Sequence, residues 1–169
     1  MDATRIVVKT GNHPLEQGLL NQAIGFVNAA SRCDSEVLIT PLVSNRPLTV
    51  AVVCYAFAIE LYLKLLCVIG TGEHPRQHEL DKLLLALTPS ARAALDAYAK
   101  PLDAAAAVAA LGKSFTEWRY AHEHEQLSAN ISDLKALAAA CHRAARQLRP
   151  DLHVFGENMV MKPTLTPLK

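Results

Sequence analysis

Between Leu48 and Ile69 the chain carries an almost unbroken apolar run whose only charges are Glu60 and Lys64. A run of that length reads as a helix, and one that is apolar nearly all round has no wet face to offer. It must cross a membrane or lie at the centre of a folded core. Two charges near its middle make the first option costly, by roughly 3 kcal/mol or more for each ion at a bilayer centre. The run is therefore expected to be the central, buried helix of a bundle. The rest of the chain is what has to cover it.

The flanking sequence supplies suitable covers. After Pro14, a residue suited to the first helical position, Leu15, Leu19, Ala23, Phe26, Val27 and Ala30 recur at three-to-four spacing. The first ten residues lack that period and read as an extended arm. Residues 34–47, with Pro41, Ser44, Asn45 and Pro47, read as a connecting loop. Gly70-Thr71-Gly72 is expected to end the central helix. Leu80, Leu83, Leu84 and Leu87 then mark a third helix, and Thr88-Pro89 opens a short one through Leu95 and Tyr98. Asp103 is placed to cap a long helix with Val108, Leu111, Phe115 and Trp118 as its inward stripe. Beyond a polar stretch at 123–130, where a break is expected, Ile131, Leu134, Leu137, Cys141, Ala144 and Leu148 form the last stripe.

These elements predict an all-α fold: an up-and-down helical bundle of four longer helices plus one or two short ones. Residues 1–150 are expected to form one domain and 151–169 a loosely structured C-terminal tail. Composition agrees, since much of the 51% hydrophobic content is alanine and aromatics are only 5%, which favours helix over sheet. A net charge of +1 advertises no strong field for nucleic acid or a membrane surface. Four dispersed cysteines without a CxxC pair read as reduced, buried thiols, and with no signal-peptide layout at Met1–Arg5 the expected location is cytoplasmic. There is no glycine-rich phosphate loop and no internal repeat.

The chemistry concentrates at 115–125, where two histidines, an arginine and three glutamates fall within a few turns. On a continuous helix Arg119 shares a face with His122 and Glu123, whereas His124, five residues on, points roughly 140° away. Arg119 and His124 converge only if the helix breaks after Tyr120 or His122, or if they meet across two subunits. An arginine with a histidine suits phosphodiester cleavage: the guanidinium holds a phosphate, and the imidazole takes a proton near neutral pH. The alternative is an ordinary Arg119–Glu123 helix salt bridge with solvated histidines.

Glu60 and Lys64, four apart on the most apolar helix, read as a satisfied intrahelical pair or one shared with Arg119. His78 reads as a capping or packing residue. His74, His78, His122 and His124 form two pairs, but Pro75 and the lack of a cysteine or carboxylate at conventional spacing argue against zinc. No metal or cofactor is expected. Cys54 and Cys67 are too embedded in apolar sequence to read as nucleophiles, and Trp118 reads as core rather than a base-stacking platform.

Glu60-Leu61-Tyr62-Leu63-Lys64, then Gly70, then His78-Glu79-Leu80 with Leu83, resembles the E-x-x-x-K helix, glycine stop and H-x-L helix start of HEPN domains. Trp118-Arg119-Tyr120 with Glu123 is also similar to a pattern in some bacterial members. The likeness runs from about Val50 to Leu148. It implies a homodimer of helical bundles and, in catalytic members, a metal-independent endoribonuclease of toxin or defence type. Those members carry an arginine, four to six residues, then a histidine, which Arg119 and His124 match, with His122 as the stand-in. The resemblance assigns Arg119 to the phosphate and His124 to the ribose 2′-hydroxyl in a cleft shared by two subunits, with RNA as substrate. A cognate antitoxin or nucleotidyltransferase-type protein is the implied partner. Tyr120 stands where catalytic members often carry asparagine or aspartate. The other expectation is therefore a non-catalytic helical dimerisation module that binds a protein or a nucleotide-like ligand.

Overall fold

The computed structural model describes residues 14–35, 39–40, 43–44, 48–119 and 129–153. These form six helices: α1 (Leu15–Ser35), α2 (Leu48–Thr71), α3 (Leu80–Leu85), α4 (Pro89–Ala99), α5 (Ala104–Arg119) and α6 (Ile131–Leu148). The architecture is the expected all-α bundle, with α1, α2, α5 and α6 as its long members. Between α1 and α2, β1 (Ile39–Thr40) and β2 (Val43–Ser44) pair antiparallel, Ile39 opposite Ser44. That ribbon occupies what the sequence reads as plain loop. Two-residue strands are too short to show an alternation.

α2 is the central helix. Tyr55, Ile59, Tyr62, Leu63, Leu65 and Leu66 along it are each no more than 2% exposed. By length and composition α2 could cross a membrane, but 72% of its most apolar window is buried inside the fold. Helices α1 and α6 pack on one side of it, α3 and α5 on the other, and α4 rests mainly on α6. Removing α2 from water in this way is the main gain of folding, since its buried Leu and Ile side chains contribute roughly 1.5–3 kcal/mol each.

The helix starts follow the signals in the sequence. Thr88 Oγ1 accepts from the Ala91 amide at 3.4 Å, with Pro89 at the first helical position. Asp103 Oδ1 accepts from Ala105 N at 2.8 Å and Ala106 N at 3.2 Å, and Asn130 Oδ1 does the same for Ser132 and Asp133. The end of α2 differs in its reason. Gly72, at φ +76°, is the residue in the left-handed region. Gly70 is still helical, and a Cβ there would lie 2.7 Å from Thr88 Oγ1. Its role is close approach between α2 and the start of α4.

The packed domain also runs past Pro150. Leu152 is buried, and Gln17 on α1 grips the backbone of His153, donating to its carbonyl at 2.6 Å and accepting from its amide at 3.0 Å. Arg149 bridges Glu16 on α1 and Asp151. Residues 151–153, expected in the tail, therefore belong to the packed domain, and 154–169 lie outside the described residues. Hydrogen bonds from Arg149 hold the Asp151 carboxyl down to about 2. A carboxyl whose folded value is depressed stabilises the fold above its ordinary range, and the contribution is lost as pH falls through the folded value. An NMR pH titration is expected to place Asp151 near that value, and Arg149→Gln to return it to the ordinary carboxylate range. An ordinary value in the unsubstituted protein would mean that this bridge does not persist in solution.

Candidate functional site

The polar chemistry of the described residues gathers on two opposite faces of α2. On the face toward α3, the Lys64 ammonium lies 3.0 Å from Glu60 Oε1, with side-chain exposures of 6% and 4%. Their i,i+4 spacing stacks them on one stripe of the helix. The same oxygen is met at 2.8 Å by His78 Nδ1 from the loop before α3. A carboxylate only accepts, so Nδ1 carries the hydrogen, and Nε2 is the other nitrogen of a ring that is 73% exposed. Glu60 Oε2 is buried and, among the described residues, has no hydrogen-bond donor.

This arrangement corrects one expectation and bears out another. His78 neither caps nor packs: the capping position of α3 is Glu79, which makes no side-chain cap bond, and His78 is instead the solvent-facing end of a buried ion pair. The Glu60–Lys64 pair forms as expected, and the alternative that it is shared with Arg119 falls on a side chain outside the described residues. Chemically, a buried carboxylate that orients a histidine and leaves its second nitrogen accessible is an arrangement suited to proton transfer. His78 is eighteen residues from Glu60, so no helical period could have linked them. Only the chain reversal at Gly72 brings them together.

The arginine–histidine segment is less described. Arg119 is the last residue of α5, and its side chain lies outside the described residues. Tyr120, His122, Glu123 and His124 lie wholly outside them, as do the side chains of Phe115 and Trp118. Among the described residues no group of three or more His, Cys, Asp or Glu side chains is gathered as a metal would require. The four cysteines are free. Burial pushes the Cys141 thiol up to about 12 and raises Cys67 and Cys54 as well, which leaves them poor nucleophiles.

The opposite face of α2 holds a cleft that sequence reading did not find. It has a volume of about 400 Å³ and lies between α1, α2 and α6, with Ile24, Val27, Tyr55, Tyr62 and Ala138 among its lining. The Tyr55 hydroxyl is 3.1 Å from Ser31 Oγ, and the Tyr62 hydroxyl is 3.2 Å from His142 Nδ1, with the two rings edge to face at 5.7 Å. Burial raises the Tyr62 phenol above its ordinary range, so it stays protonated. Lys135 and Arg143 of α6 also line the cleft. A signal was present: Tyr55 and Tyr62 are seven apart, as are Lys135 and His142, which puts each pair on one helical face.

No family model, curated protein or solved structure matches the chain.

Proposed function

We propose that the chain is a HEPN-like helical domain acting as a metal-independent endoribonuclease, with a composite site formed across a homodimer. The observation that supports this is the convergence of Glu60, Lys64 and His78. The residues that carried the resemblance in two separate motifs meet in one cluster, at 3.0 Å and 2.8 Å. In this reading Arg119 binds the scissile phosphate and offsets its transition-state charge. His124, or His122 in its stead, takes the proton from the 2′-hydroxyl. The 2′-oxygen attacks phosphorus, the bond to the 5′-oxygen breaks, and that oxygen takes up a proton. Glu60 and Lys64 support the site by fixing α2, while Tyr120 and Glu123 flank the reacting groups.

The full chain, incubated with structured and unstructured RNA in EDTA, is expected to cut it to products with a 2′,3′-cyclic phosphate end. Arg119→Ala and His124→Ala are each expected to slow cleavage roughly a hundredfold or more. Light scattering at micromolar concentration should give the mass of a dimer. RNA equally intact with the unsubstituted chain and with His124→Ala defeats the nuclease reading. Tyr120 directly after Arg119 favours a second reading, a non-catalytic module that dimerises and binds a protein or nucleotide-like ligand. There Arg119→Ala lowers the melting temperature and no RNA cleavage is lost.

A further inference from the structure

The cleft between α1, α2 and α6 uses none of the residues assigned to the nuclease reading. Glu60 and Tyr62 are two residues apart on one helix, which turns their side chains about 200° from each other. The two sites therefore stand or fall separately. The volume of about 400 Å³ falls within the range of small-molecule clefts, whose usual form is an apolar wall with a few convergent polar groups. Ile24, Val27 and Ala138 supply apolar wall, and Tyr55 and Tyr62 add ring faces. The Tyr62 hydroxyl, 3.2 Å from His142 Nδ1, adds a polar group at depth.

Charge narrows the ligand further. Two cations line the cleft. Lys135 is already engaged by Asp34, whereas Arg143 is exposed and among the described residues has no ion-pair partner. Among the described residues the cleft thus offers one uncommitted positive charge. A polyphosphate would bring several negative charges to a single guanidinium and none of its apolar neighbours would be used. An uncharged apolar molecule would leave Arg143 without a counterpart. We propose that this cleft binds a small amphipathic anion, a single carboxylate or sulfonate head on an apolar body. The body lies against Tyr55, Tyr62 and Val27 and the head meets Arg143.

The probes are 8-anilinonaphthalene-1-sulfonate, which has this form, and N-phenyl-1-naphthylamine, its uncharged relative. Fluorescence titration of the full chain is expected to give one sulfonate site per chain. Arg143→Gln, a change at an exposed position, should weaken the sulfonate roughly five- to tenfold and move the uncharged probe less than about twofold. Val27→Trp should remove binding of both by filling the cleft. If its circular dichroism melt shows a lost fold, Ala139→Trp on the exposed rim serves instead. Sulfonate binding at several sites, binding that survives the filled cleft, or equal weakening of both probes by Arg143→Gln would each overturn the proposal.

Discussion

Lys64→Met alone is expected to destabilise the protein by about 3–5 kcal/mol, a fall in melting temperature on the order of 10 °C. The substitution keeps the apolar stem and removes only the ammonium. What remains is the Glu60 carboxylate, 4% exposed, which among the described residues has one oxygen unmet and the His78 imidazole as its partner. Taking an ion out of water is offset here by its counter-ion, and the offset disappears with the lysine. Removing both ions is expected to behave differently. Glu60→Leu with Lys64→Met should lie within about 1 kcal/mol of the unsubstituted protein, or above it, because an apolar pair of similar volume has no desolvation cost. Urea denaturation of the single and double variants measures this. A single variant as mild as the loss of the exposed Glu79–Lys82 pair would show that the Glu60 site is wet.

Gly70→Ala is expected to cost about 1–3 kcal/mol by overpacking, with up to about 2 kcal/mol more if Thr88 is driven from its capping position. The added methyl would meet Thr88 Oγ1 at 2.7 Å and Cγ2 at 2.8 Å, so something must move. The hydroxyl being displaced is the one that accepts from the Ala91 amide and starts α4. Glycine is tolerated at a helix cap at a cost of a few tenths of a kcal/mol. Gly70→Ala combined with Thr88→Gly is therefore expected to recover most of the loss in a thermal melt. Gly25→Ala, at an exposed helical position with open space where the methyl would go, should shift stability the other way by up to about 1 kcal/mol. If Gly70→Ala and Gly25→Ala move together, the close contact with Thr88 does not govern this junction.

The sequence made the helices legible because their signals are local. Pro14, Thr88-Pro89, Asp103 and the stripe from Leu134 to Leu148 each declare an element within a few residues, and each stands where those signals place it. Glu60 and Lys64 were legible as a pair for the same reason. His78 was not, because its partner is reached through a chain reversal that leaves no periodic trace. Gly70 was read for the wrong cause. A glycine near a helix end suggests a cap, while its actual demand comes from Thr88, eighteen positions later. The cleft escaped notice because its walls come from three helices, and two tyrosines on an apolar helix look like core. Arg119 and His124, in contrast, were singled out by residue type and by the arginine–histidine spacing that the resemblance supplies. Their meeting depends on tertiary or subunit geometry that no local spacing encodes.

The clasp of Gln17 on the backbone of His153 joins residues 136 positions apart. A chain emerging from the ribosome can pair its first two long helices early, since they are neighbours in sequence. The outer end of the first helix must nevertheless wait for the residues up to His153 before Gln17 and Glu16 find their partners. Until then the segment that carries Leu152 into the same buried core as Leu19 and Leu20 is missing from beside Gln17. Synthesis is therefore the interval in which this molecule is most open to capture by chaperones, and a nascent chain halted before Leu152 should hold them longer than one extended past His153.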